Sequence, residues 1–110
     1  MAKYEREFRG DFDAVLSKIH DAVIDGSYSA SYEDGSDYAS GDFRCAVRIY
    51  ERYSAMGGNR VSLSVTLAGS GEELFVSAIT SGGSQAMFLK VNTLGESAFL
   101  NSVRNALDAL

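Results

Sequence analysis

The sequence predicts an α+β fold in which a single curved antiparallel sheet carries both helices on one face. Apolar residues recur at helical spacing in two segments, one near each end of the chain, whereas the segments between them alternate apolar and polar residues with a period of two. Short glycine-bearing turns join the alternating segments, which favours an antiparallel meander. The expected order is strand, helix, four or five strands, helix, within one domain spanning residues 1–110.

The first strand and the first helix follow from a change of period near the start of the chain. Residues 4–8 alternate, and they predict a short half-buried strand with the aromatic rings inward. Gly10 ends this strand, and Asp11 is a typical helix N-cap. A helix is expected from there to Gly26. Its apolar stripe consists of Phe12, Val15, Leu16, Ile19, Ala22 and Val23.

A second strand is predicted over residues 27–32, where tyrosine and alanine alternate with serine. The next segment, residues 33–42, contains four acidic residues. It is interpreted either as a solvated loop or as a calcium loop, although the spacing of its acids departs from the EF-hand pattern. The solvated loop is the preferred interpretation, so no metal site is predicted.

Residues 43–53 form the longest predicted strand, and its two faces differ in chemistry. The face expected to enter the core is apolar and consists of Phe43, Cys45, Val47 and Ile49. The opposite face is expected to stay open and to act as an interaction face through Arg44, Arg48, Tyr50 and Arg52. Guanidinium groups about 7 Å apart along a strand can bind a phosphate, a carboxylate or an acidic partner. The alternative is that these arginines pair with glutamates on neighbouring strands.

Two further strands and a glycine turn follow. The first strand, residues 61–68, directs one row of side chains to the core, namely Val61, Leu63, Val65 and Leu67. The next strand, residues 74–80, is expected to form a hairpin with residues 86–90. The turn between them offers bare amides and hydroxyls that can hold a small anion, at Ser81, Gly82, Gly83, Ser84 and Gln85. The alternative is a plain turn whose amides bond to neighbouring backbone.

The closing helix is expected to begin at a capping box formed by Thr93 and Glu96. Its apolar stripe consists of Phe99, Leu100, Val103, Ala106, Leu107 and Leu110. Two amphipathic helices can cover only one face of the meander, so the other face is expected to stay uncovered.

Composition narrows the range of functions. A net charge of −5 and a pI near 4.7 oppose non-specific binding to nucleic acid or to an anionic membrane. The charged first residues and the lack of a long apolar run predict a cytoplasmic protein. One cysteine and one histidine, His20, exclude an internal disulfide and supply few groups for catalysis. No catalytic residue and no cofactor is therefore predicted.

Four segments carry a resemblance to a known family: RCAVRIYERY at 44–53, GGNRVSL at 57–63, SAITSGGSQA at 77–86 and NTLGE at 92–96. They resemble a family of small proteins of unknown function from Firmicutes, and the likeness covers nearly the whole chain. It implies a stand-alone bacterial cytoplasmic domain and transfers no catalytic residues. The order of elements is similar to the TATA-binding-protein-like and helix-grip folds, in which a curved antiparallel sheet holds a long C-terminal helix.

Two functions remain as hypotheses. In the first, the protein is a non-enzymatic assembly domain whose open sheet face docks on itself, as a homodimer, or on an acidic protein partner. In the second, a small apolar or amphipathic ligand lies between the sheet and the C-terminal helix. Its expected lining is Phe43, Val47, Leu63, Val65, Phe88, Phe99 and Val103, and the alternative is that these residues simply fill the core.

Overall fold

Five antiparallel strands and two helices make up the fold of this computed structural model. The structure describes residues 1–26, 29–53, 60–82 and 89–109, with side chains of the last segment described from Phe99 onward. The elements are β1 (Lys3–Arg9), α1 (Phe12–Asp25), β2 (Ser31–Ser40), β3 (Phe43–Tyr53), β4 (Arg60–Ser70), β5 (Glu73–Gly82) and α2 (Leu89–Asp108). The predicted α+β class and the order of its elements are confirmed.

The sheet has the strand order β1-β5-β4-β3-β2. Strands β2 to β5 form the expected meander, and β1 returns to pair antiparallel with β5, with Glu5 opposite Ser77. Strands β1 and β2 are therefore the two edges, and β4 lies in the centre.

Glycine occupies the first turn position in two of the hairpins. Gly41, between β2 and β3, has φ +57°, and Gly71, between β4 and β5, has φ +60°. Two-residue hairpin loops whose twist matches that of the strands require positive φ at this position, which glycine adopts without a Cβ penalty. These two glycines thus fix the tight reversals on either side of the β3–β4 pair.

Both helices pack on the same face of the sheet and enclose one core. Asp11 caps α1 as predicted, since its carboxylate accepts a hydrogen bond from the backbone N–H of Ala14 at 2.9 Å. The predicted core row of β4 is confirmed, with each of its four side chains at most 1% exposed. The main helix contributions to the core are Phe12, Val15, Ile19 and Val23 from α1 and Phe99, Leu100, Val103 and Leu107 from α2.

Three predicted boundaries are wrong. Strand β2 covers Ser31–Ser40, so the expected acidic loop is largely an edge strand, held by backbone pairing with β3 despite its exposed side chains. Ser27 and Tyr28, the start of the predicted strand, lie outside the described residues. Helix α2 begins at Leu89, so Leu89 and Lys90 are helical instead of extended, and Thr93 lies inside the helix. A short apolar run does not by itself separate a strand from a helix.

The predicted faces of β3 are inverted. Ala46 and Tyr50 are fully buried beneath the helices, and they pair with the core residues Leu67 and Leu63 of β4. The alternating row that includes Arg44, Arg48, Tyr50 and Arg52 therefore points to the helix layer. The row expected in the core lies on the uncovered face and consists of Phe43, Cys45, Val47 and Ile49. The reason is the register with β4, whose apolar row sets which face of the sheet is covered.

Candidate interaction surface

Arg44 attaches β3 to the start of α1. Its guanidinium donates two hydrogen bonds to the carboxylate of Asp13, at 2.9 and 3.1 Å, and lies 4.1 Å from the centre of the Phe12 ring. The hydrogen bond from Arg44 holds the pKa of Asp13 below its ordinary value. A residue predicted to face a partner thus contacts a helix of its own chain.

Arg48 and Arg52 are likewise used within the fold. Arg48 donates to the carboxylate of Asp37 on β2 at 3.0 Å and to the backbone oxygen of Val47 at 2.9 Å. The Arg52 guanidinium lies 4.9 Å from the centre of the Phe99 ring on α2, and burial lowers its pKa. Because their heads lie at the end of long aliphatic stems, arginines can occupy a covered face and still reach polar groups at its margin.

Tyr50 is the most deeply placed of the four predicted interaction residues. Its ring is 0% exposed, its hydroxyl is hydrogen-bonded to Nδ1 of His20 at 2.9 Å, and burial raises its pKa to about 12. The ring of Tyr32 stands edge-on to Tyr50, with their centres 5.8 Å apart. Sequence reasoning did not find this contact between His20 and Tyr50, because β3 was assigned to the wrong face.

The expectation that these four residues form an open interaction face is therefore wrong. The proposed alternative, pairing with glutamates on neighbouring strands, also differs from the structure for Arg44 and Arg48, whose carboxylate partners are aspartates. The contacts made by the arginines reach aspartates on α1 and β2 and aromatic rings on both helices. The row serves to hold the helices and the edge strand against β3.

The predicted anion site lies only partly within the described residues. Ser81 and Gly82 form the end of β5 and pair with Ser62 and Val61 of β4. Gly83, Ser84 and Gln85 lie outside the described residues. Whether the turn binds an anion stays a prediction.

The residues expected to line a ligand cavity lie in different parts of the structure. Phe43 and Val47 lie on the uncovered face of the sheet, and Phe88 lies outside the described residues. The remaining four are at most 1% exposed and belong to one core cluster, namely Leu63, Val65, Phe99 and Val103. The residues predicted to line the cavity therefore do not surround one common cavity.

The uncovered face of the sheet carries an apolar surface that we call the open-face patch. Its large exposed members are Tyr38, Phe43, Phe75 and Ile79, whose exposed fractions run from 37% to 62%. Between them lie the half-buried residues Cys45, Val47 and Ile49 of β3. The pairing register joins these residues across the sheet, since Tyr38, Cys45, Ala68 and Phe75 are successive cross-strand neighbours.

The open-face patch has a groove along its central strand. On this face, between Arg60 and Ser70 at its ends, β4 presents small side chains, namely Ser62, Ser64, Thr66 and Ala68. They lie between the larger apolar rows of β3 and β5, which are about 10 Å apart because two inter-strand spacings separate them. The patch therefore consists of a ridge on β3, a groove on β4 and a second ridge on β5.

Charged groups border the open-face patch. At one end of the β3–β4 pair, Glu51 forms an ion pair with Arg60. Along the β1 edge, Lys3, Glu5, Glu7 and Arg9 occupy the same side of the sheet, and Glu5 accepts a hydrogen bond from Ser77 at 2.8 Å. An apolar centre with a charged margin is the composition typical of protein interfaces.

Two other classes of site find no support in the described part of the chain. No group of three or more histidine, cysteine, aspartate or glutamate side chains within it is arranged to hold a metal ion. Neither described helix combines the length and apolar content needed to cross a membrane.

Comparison with known proteins gives a family and no activity. No curated protein matches the chain. The model of a family of unknown function, DUF6054, matches residues 1–110, which is the whole sequence. Firmicute origin and likeness to the TATA-binding-protein-like or helix-grip folds stay predictions. On the extent of the match, the chain belongs to the DUF6054 family.

Proposed function

We propose that this chain is a bacterial cytoplasmic, non-enzymatic interaction domain that docks a protein partner on its open-face patch. One observation carries the proposal. Among the large apolar side chains that are exposed in the described residues, all except Met1 and Tyr32 lie on the uncovered face: Tyr38, Phe43, Tyr53, Phe75 and Ile79. Apolar side chains gathered on one face, with few on the other, are typical of binding surfaces.

The size of the face supports a protein partner over a small molecule. Five strands of seven to eleven residues span about 24 by 33 Å, an area of about 800 Å². A stable protein interface buries about this area on each partner. Among the described residues, nothing forms an enclosing wall around this face of the kind that surrounds most small-molecule sites, because both helices lie on its opposite side.

Cys45 allows the proposal to be tested without knowledge of the partner. It is the only cysteine of the chain and lies half-buried on the open-face patch. The experiment compares its rate of alkylation by a maleimide in intact cells with the rate in purified protein diluted to nanomolar concentration. We expect at least tenfold slower alkylation in cells, because a docked partner covers the thiol.

Two variants control this experiment. Ile79→Glu places a charge on the patch two strands away from Cys45, and we expect it to restore fast alkylation in cells. Ser17→Glu adds the same charge on the exposed outer side of α1 and is expected to leave the protection intact. Equal alkylation rates in cells and in dilute solution would show that the face is not covered, and the proposed function would be wrong.

A further inference from the structure

We infer that the partner is a second copy of this chain, with the β3 ridge of each copy lying in the β4 groove of the other. This inference rests on the proposed function and specifies its partner. The ridge consists of Phe43, Cys45, Val47 and Ile49, and the groove of Ser62, Ser64, Thr66 and Ala68. Because both lie side by side on one face, a single surface contains both halves of a complementary pair.

Symmetry selects one arrangement of the two copies. A homodimer interface is formed by the same surface on both copies, related by a two-fold axis. An axis perpendicular to the strands would stack each strand on its own counterpart, with ridge against ridge. An axis along β4 would stack groove on groove and leave a gap. An axis midway between β4 and β5 would place the β5 ridge in the groove but set the β3 ridge over the charged row of β1. An axis parallel to the strands and midway between β3 and β4 places the β3 ridge of each copy over the β4 groove of the other, and β5 over β2.

The charges agree with this arrangement. The residues of β3 and β4 that face each other, from Phe43 to Ile49 and from Ser64 to Ser70, carry no charge on this face. The overlap covers β2 to β5 and leaves β1 outside, so its charged row of Lys3, Glu5, Glu7 and Arg9 stays in water. Removing charged groups from water without partners is costly, and this geometry avoids that cost for β1. Within the overlap, Glu51 and Arg60 pair with each other at one end, and the exposed Asp34 and Glu73 lie on its two outer strands, β2 and β5.

The overlap is large enough for a dimer of moderate stability. Four strands of about ten residues present about 600 Å² on each copy, or about 1,200 Å² in total. That value is at the lower end of the range for specific complexes, so we expect dissociation at high dilution. The alkylation experiment uses nanomolar protein because the dimer should then dissociate and expose Cys45.

The arrangement fixes the distance between the two Cys45 residues. A two-fold axis along the strands keeps both at the same height, and packed sheets lie about 10 Å apart. Their Cα atoms are then about 11 Å apart, too far for a disulfide, which needs less than about 7 Å. A short bismaleimide should span them, whereas oxidation should not.

The test combines mass and cross-linking on the full chain. Sedimentation of the purified protein from about 1 to 100 µM should show conversion from monomer to dimer. A short bismaleimide should convert at least half of the protein at 100 µM into covalent dimer, and a mild oxidant should not. Thr66→Arg, which fills the groove, should keep the protein monomeric, whereas Ser17→Arg on the outer side of α1 should not alter the dimer.

The outcomes separate the two proposals. A monomer at 100 µM whose Cys45 is nevertheless protected in cells would overturn the homodimer and leave the proposed function standing. A dimer that bismaleimide fails to cross-link would overturn the ridge-in-groove arrangement. Cross-linking of the unaltered chain tests the ridge-in-groove arrangement even if the Thr66→Arg variant fails to fold.

Discussion

The hydroxyl of Tyr50 lies 2.9 Å from Nδ1 of His20, and this hydrogen bond joins the middle of β3 to α1. The rings of both residues also contact Tyr32 on β2, at centre distances of 5.9 Å from His20 and 5.8 Å from Tyr50. Three elements that are distant in sequence therefore meet in one polar aromatic cluster. Its role is to set the position of α1 over the sheet.

Tyr50→Phe should destabilise the protein by about 1 kcal/mol, because the ring is kept while a partly buried nitrogen of His20 loses its hydrogen bond. Urea unfolding followed by circular dichroism measures the change. Tyr38→Phe is the matched control, since that ring is 62% exposed, and it should change stability by less than about 0.5 kcal/mol. Equal losses for the two variants would contradict the assigned role of the Tyr50 hydroxyl.

Stability should fall at high pH because of Tyr50. Burial raises its pKa to about 12, whereas tyrosine in an unfolded chain titrates near 10. Its contribution to stability is therefore fully present below pH 10 and is lost as the pH rises toward 12, by at most about 3 kcal/mol. Urea unfolding at intervals from pH 9 to pH 12 measures this loss, which should be absent in Tyr50→Phe. If stability fell equally with pH in the unaltered protein and in Tyr50→Phe, the loss would not arise from Tyr50.

Arg44→Gln should raise the pKa of the Asp13 carboxyl toward its ordinary value of 3.8, because the hydrogen bond from Arg44 holds it lower. A carboxyl group whose pKa is lower in the folded than in the unfolded protein stabilises the fold when the pH is above the unfolded-state pKa. This contribution is lost as the pH falls through the lowered, folded-state pKa. The variant should therefore show less loss of stability in acid. A carbon-detected NMR titration of Asp13 measures the shift directly.

The control for this titration is Arg9→Gln. Arg9 forms an ion pair with Glu73 on the uncovered face of the sheet, opposite the face that carries α1 and Asp13, so the pKa of Asp13 should not change. An unchanged Asp13 pKa in Arg44→Gln as well would mean that the ion pair does not form in solution.

The two turn glycines should tolerate asparagine better than alanine. A Cβ at Gly41 or Gly71 would meet nothing within 4 Å, so any cost arises from the positive φ alone. Alanine should therefore destabilise by about 1 kcal/mol, and asparagine by less because it enters the left-handed region more readily. Urea unfolding of the four variants provides the test, and a stabilising alanine would mean that the turn φ is negative in solution.

Local signals predicted much of the fold. The bounds of β3, the N-cap at Asp11 and the core row of β4 were all predictable because each depends on residues close in sequence. Strand β2 was predicted poorly for the opposite reason. An edge strand such as Ser31–Ser40 buries little, so its side chains carry no apolar alternation, and only its pairing with β3 makes it a strand.

The candidate site was less predictable than the fold, and β3 shows why. The sequence alone determined which of its residues share a face, since a strand alternates its side chains with a period of two. Only the tertiary structure decided which of those faces the helices cover. That choice depends on register, because pairing Tyr50 with Leu63 and Ala46 with Leu67 joins the arginine-bearing face to the core row of β4. The apolar row with Cys45 was left uncovered as a result, and register is a property of two strands together that neither strand's own pattern contains.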